Sequence, residues 1–160
     1  MYEGRRGPLE NVELLKKIEM FKGLTSFEII KVGKLIKSKN YKAGTRVVKA
    51  GEEGESLFIV KEGTVRVSNL DQEGKEETLA ALGLGDHFGE VSLLDRQPRS
   101  ADVYAASDAK LLEISKKDLE GLLLSDKEIA LKVYKAFAIA LCKRLRSSNE
   151  NLIYLKGLEK

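Results

Sequence analysis

The chain has 160 residues, 42% hydrophobic and 33% charged, with a net charge of +3 at pH 7. It is long enough for one globular domain with a buried core, and its scattered basic residues give no concentrated nucleic-acid face. One cysteine (Cys142) excludes an internal disulfide framework, one histidine (His87) excludes a multi-histidine metal site, and no apolar run nears the ~20 residues of a membrane span.

From Asn11 to about Lys39, apolar residues recur at helical spacing: Val12, Leu14, Leu15 and Ile18, then Phe27, Ile29, Ile30, Leu35 and Ile36. They predict two short helices broken at Lys22-Gly23, the second opened by Thr25-Ser26 with Glu28 as a cap. Residues 1–40 are therefore read as a helical segment.

From Tyr41 to Ser115 the runs TRVV, SLFIV, TVRVSNL, ETLAAL, ADVYAA and AKLLEI are β-rich and separated by glycine-containing turns. Val65 and Val67 alternate with polar neighbours, so one face of that strand is buried. The expected fold is mainly β with flanking helices (α+β). Its centre is a jelly-roll β-roll, a double-stranded β-helix, over residues 41–115.

From Lys116 the period is helical again. KKDLEGLLL makes a short helix, and Ser125-Asp126 caps a long one running to about Leu155. Within residues 116–160, Tyr134, Ala138, Leu141, Leu145, Ser148, Leu152 and Leu155 step by four and three, a heptad-like seam. That spacing serves equally a helix packed on its own barrel and one paired with a second chain. Cys142 is read as core, and KRLRSSN as a solvated helix face.

The stretch FGEVSLLDRQPRSADV, Phe88–Val103, plants Glu90 and Arg99 among small and apolar residues. A buried arginine needs an anion, and the guanidinium fork matches phosphate. Pro98 fixes the entry of the chain, while Ser100 and Ala101 are small enough for their N–H groups to approach a ligand. A turn or short helix at Gly85–Gly89 aims further N–H groups inward. Glu90 would repel phosphate and so suits a donor such as a sugar hydroxyl. On spacing alone, the more economical reading is that Glu90 and Arg99 pair with each other.

This stretch resembles the phosphate-binding cassette of cyclic nucleotide-binding domains: FGE-(L/I/V)-(A/S/G)-L-L, a short spacer, then PR-(A/S/T)-A-x-V, matched here without a gap. YKAGTRVVKAGEEGESLFIVKEGTVRVSNLDQEGKE resembles the opening of that family's β-roll, and LLKKIEMFKGLTSFEIIKV its N-terminal helices. The long last helix resembles its hinge and capping region. The family includes the bacterial catabolite activator protein, the regulatory subunit of cAMP-dependent protein kinase, and the cytoplasmic domains of cyclic nucleotide-gated channels.

The resemblance implies that Arg99 binds the cyclic phosphate and Glu90 the ribose 2′-hydroxyl. Gly89, Val91, Ser92, Ser100 and Ala101 would surround the sugar-phosphate, with Val67 and Leu82 on the base side. Arg144, Ser148 and Asn149 would reach the base from the last helix, within one chain or across a dimer. Asp102 stands where kinase-type domains carry threonine, on the strand face of Ser100 rather than of Arg99, and Ser92 replaces a common alanine. The Ser100 hydroxyl can serve a phosphate or a guanine amino group, so the base stays open, with cAMP favoured over cGMP.

The implied function is a cytoplasmic sensor in which Val91, Leu93 and Leu94 shift on binding and the C-terminal helix moves. The readout would be a homodimer through that helix or an unknown protein effector. No metal, cofactor, membrane or DNA contact is expected, and nothing points to catalysis. The alternative is a degenerate β-roll serving as an interaction or dimerisation scaffold. A metal-dependent cupin-type enzyme is opposed by the single histidine.

Overall fold

A computed structural model describes residues 9–159. Its helices are α1 (Val12–Lys17), α2 (Ser26–Gly33), α3 (Glu90–Asp95), α4 (Lys116–Ser125) and α5 (Lys127–Leu158), with a 3₁₀ turn at Glu19–Phe21. Its strands are β1 (Lys37–Tyr41), β2 (Arg46–Val48), β3 (Ser56–Glu62), β4 (Val65–Leu70), β5 (Glu76–Leu82), β6 (His87–Phe88), β7 (Asp102–Ala105) and β8 (Ala109–Ser115). They form two four-stranded antiparallel sheets, ordered β1-β8-β3-β6 and β2-β7-β4-β5. This is the expected jelly-roll architecture with flanking helices.

SLFIV lacks alternation because both faces of β3 are covered. Phe58 and Val60 point into the barrel with Val65, Phe88, Val103 and Leu111. Leu57 and Ile59 point the other way, joining Leu112 and Ile114 of β8 beneath the helices. That outer cluster takes Leu15 from α1, Phe21 from the 3₁₀ turn, Ile29 and Val32 from α2, and Ile129, Val133 and Phe137 from α5. The N-terminal and C-terminal helices therefore share one core on the back of one sheet.

The helix caps follow the sequence. Thr25 accepts from the Glu28 N–H while Glu28 accepts from the Thr25 N–H, a reciprocal capping box. Asp126 opens α5 by accepting from the Ile129 N–H at 3.1 Å. Lys31 bonds the same Asp126 at 2.8 Å and Lys132 bonds Glu28 at 2.6 Å, so each cap is also an ion-pair partner between α2 and α5.

Two expectations are corrected. Helix does not run to Lys39: Lys37–Tyr41 is an edge strand on β8. Its exposed, lysine-rich face gives it no buried pattern to read. Cys142 is exposed rather than core, because α5 extends beyond the sheet it packs on and Phe137 is its last buried residue. Of the two readings left open for the seam, the structure leaves its part beyond Phe137 uncovered: Leu141, Leu145, Leu152 and Leu155 are exposed, Leu145 by 63%.

Candidate functional site

Arg99 is the centre of the site. The backbone around it is stitched to the β2–β3 loop: the Arg99 N–H donates to the Glu52 carbonyl and the Gly51 N–H to the Arg99 carbonyl, each at 2.8 Å. Asp102 adds a third stitch by accepting from the Ala50 N–H at 2.8 Å. It thus ties down that loop and is engaged away from Arg99, as alternation along β7 suggested.

The Arg99 side chain is buried, with 8% of the residue exposed. Nη2 donates to the Ser56 carbonyl at 2.7 Å and Nη1 to the Gly89 carbonyl at 3.1 Å. Burial pushes its pKa below the ordinary value, and the charge of Glu90 offsets part of that shift. Among the described residues no carboxylate lies within ion-pairing distance of it. The guanidinium is held in place by two neutral acceptors and keeps its positive charge, with further N–H donors left over.

Two glycines make room for it. Gly89 has φ +91°, and a Cβ there would collide with Arg99 Nη1 and come within 2.8 Å of the Ser56 carbonyl oxygen. At Gly54, a Cβ would lie 2.5 Å from Ser92 Cβ and 3.3 Å from the Arg99 guanidinium carbon. Gly54 and Ser56 were missed as site residues. Their sequence signal was only that of a turn and a strand start, because they meet Arg99 across more than forty positions.

Glu90 is the second buried charge, 4% exposed. It does not pair with Arg99. Its Oε1 lies 2.7 Å from Arg144 Nη1 on α5 and 4.0 Å from His87 Nε2. Burial lowers the His87 pKa from its ordinary value; Glu90 opposes the shift and Arg144 adds to it. A neutral His87 therefore sits beside a Glu90–Arg144 ion pair. His87, which the sequence offered only as a bar to a multi-histidine metal site, is part of the site's electrostatics.

Next to Arg99 opens a cleft of about 100 Å³ lined by Val67, Gly89, Val91, Ser92, Ser100 and Ala101, among others. Most of the residues named from sequence thus converge. Gly89 caps α3, leaving the first N–H groups of that helix without intrahelical partners. The stacked pair Phe58–Phe88, with centroids 5.0 Å apart, supports the cassette from inside the barrel. Leu82 packs against the barrel core and is not on the cleft wall. Arg144 reaches the site; Ser148 and Asn149 are exposed further along α5. Val91 and Leu94 of α3 are partly exposed, and the side chain of Leu93 lies outside the described residues.

No group of three or more histidine, cysteine, aspartate or glutamate side chains could hold a metal among the described residues. No described helix is long and apolar enough to cross a membrane. The arrangement presents a fixed cation, a ring of small residues and a buried carboxylate, suited to holding a small anion with a hydroxyl attached.

Comparison with known proteins shows the family and the fold. A family profile described as "Cyclic nucleotide-binding domain" matches residues 38–126. The chain is 37% identical to the cAMP-dependent protein kinase type II regulatory subunit of Drosophila melanogaster over 112 residues, 69% of this chain and 29% of that protein. It is 33% identical to the cyclic AMP receptor protein of Thermus thermophilus over 138 residues, 86% of this chain and 62% of that one. The crystal structure of Thermus thermophilus catabolite activator protein superimposes with a TM-score of 0.76 at 33% identity, covering 86% of this chain and 63% of that one. The chain thus spans less than two thirds of the length of these relatives.

Proposed function

The chain belongs to the cyclic nucleotide-binding domain family, and from that premise we propose that it is a cytoplasmic sensor that binds cAMP in preference to cGMP and signals through its C-terminal helix. One observation carries this reading: Arg99 is buried and charged, and the carboxylate that could have neutralised it is engaged elsewhere. A buried charge balanced only by carbonyl dipoles is costly, and a phosphate in the adjoining cleft offsets that cost. In this reading the phosphate lies between Arg99 and the start of α3, with Ser92, Ser100 and Ala101 around it. The preference for cAMP rests on the relatives whose names specify it.

The ribose hydroxyl is assigned to Glu90, the carboxylate that Arg144 holds at 2.7 Å. Ligand and helix α5 therefore meet at one carboxylate, which is how occupancy reaches the helix. A ligand shifts the helix by as much as it prefers one of its two arrangements. The exposed seam on α5 supports the homodimer reading, and its output is a second copy or another protein.

Calorimetric titration with cAMP, cGMP and a cyclic dinucleotide tests the reading against Arg99→Ala. The wild type should give binding heat with cAMP. The variant should lose at least roughly tenfold in affinity, since a charge-assisted bond contributes about 1.5–3 kcal/mol. Silence from every nucleotide with the wild type would favour the scaffold alternative.

A further inference from the structure

A second cleft, sharing no lining residue with the one at Arg99, lies between α3, α4 and α5 and has a volume of about 130 Å³. Its apolar wall is made by Leu119, Leu123 and Phe137, all at least nine-tenths buried, with Leu94 and Tyr134 at the edges. Two cations also line it, Arg96 from the end of α3 and Lys116 from the start of α4. Among the described residues neither has an ion-pair partner. Glu120 is the acidic residue on the described lining, and it makes no ion pair with either cation. Arg96 is also the one described non-glycine residue with a positive φ, +57°, a conformation that costs an L-residue roughly 1–2 kcal/mol.

We propose that this cleft is a second ligand site, for a small aromatic carboxylate, with the ring against Leu119, Leu123 and Phe137 and the carboxylate on Arg96 and Lys116. The size argues for one ring, since an apolar cavity of about 150 Å³ admits a benzene. The charge argues for an anion: both cations line the cleft without an ion-pair partner among the described residues, and a carboxylate matches the guanidinium fork. An apolar body with one charged end is the shape such a wall and rim select.

Amide chemical shifts of the whole chain, titrated with benzoate and separately with benzyl alcohol, test this. Benzoate should perturb residues 94–96, 116–123 and 134–137 and bind roughly tenfold or more tightly than the alcohol, as one charge-assisted contact implies. The double variant Arg96→Gln, Lys116→Gln removes both charges while keeping polar side chains, and should abolish the difference. The shifts should persist in Arg99→Ala, which separates this site from the nucleotide cleft whether or not nucleotide binds. Equal affinity for the two compounds would overturn the proposal, as would shifts centred on Gly89–Ala101. Ligand-independent shifts at 94–96 and 134–137 that grow with protein concentration would overturn it in favour of self-association.

Discussion

A buried guanidinium works as an anion receptor only if its position is fixed before the anion arrives. Here the fixing is done by carbonyl oxygens and by missing side chains. Ser56 and Gly89 aim their carbonyls at Nη2 and Nη1, and Gly54 leaves the space in which the planar group lies. Gly54 has no positive φ, so alanine there tests space alone. Gly54→Ala should displace Ser92 or Arg99 by enough to cost roughly tenfold or more in nucleotide affinity, because a misaligned charge-assisted bond forfeits much of its ~1.5–3 kcal/mol. Thermal unfolding run beside the titration identifies the cause: a Tm drop with unchanged affinity would show that Arg99 has not moved. Arg99, Glu90 and Gly89 were legible because they sit in one contiguous motif. Gly54 and Ser56 were not, because a turn glycine and a glycine under a guanidinium look alike until the chain is folded. The sequence also left Glu90 and Arg99 as apparent partners. Only the fold brings in Arg144, 54 positions beyond Glu90 in the chain, to take the carboxylate.

At the scale of elements, α5 has two halves with different roles. Up to Phe137 it is built into the outer core and tied to α2 through Lys31–Asp126 and Lys132–Glu28. Beyond that it is held by two adjacent basic residues, Lys143 on Glu19 at 3.0 Å and Arg144 on Glu90 at 2.7 Å. The first pair is exposed and contributes little; the second has a buried carboxylate and matters more. Arg144→Gln should therefore raise hydrogen exchange over residues 141–158 in the ligand-free protein. Unchanged exchange would mean that the pair does not hold the helix. The heptad seam was readable from spacing, but spacing could not say whether the barrel extended far enough to cover it. Periodicity reports that a face is apolar, and only the length of the sheet underneath decides what covers it. Phe137 is the last buried residue of α5, so the seam beyond it is exposed, and the homodimer reading can be tested there. Leu145→Asp, 63% exposed in the single chain, should convert a dimer to a monomer in sedimentation with no loss of Tm beyond that of dissociation. A wild type that sediments as a monomer at high concentration would end the homodimer reading.

For the molecule as a whole, the strongest pH dependence should come from its half-buried groups whose pKa values the fold shifts. The carboxylates of Glu28, Asp126 and Glu113 are held below their ordinary values. Hydrogen bonds from Lys132 to Glu28 and from Lys31 to Asp126 do this; at Glu113 burial pushes upward, but Lys39 and Ser56 together outweigh it. His87 moves the same way for a different reason: burial disfavours its charged form, and Arg144 adds to that while Glu90, Asp86 and Glu19 oppose it. A folded pKa below the unfolded one means that the unfolded chain binds more protons in the window between them. Stability is then fully present above the unfolded pKa and is lost as pH falls through the folded value. For His87 the loss begins near its ordinary 6.5, while for Glu28 and Glu113 it begins near 4.5. The two windows are separate enough to resolve. Tm measured from pH 7.5 down should fall first through the histidine window and again, more steeply, through the carboxylate window. His87→Gln should remove the first step and leave the second, since glutamine keeps a polar side chain beside Glu90 but takes up no proton. A first step that survives in the variant would assign it to another group, and a wild-type Tm flat across the histidine window would mean that His87 is as free to charge in the fold as outside it. The second result would also weaken the picture of the site, because a histidine that charges freely at 4.0 Å from Glu90 would compete with Arg144 for the carboxylate assigned to the ribose.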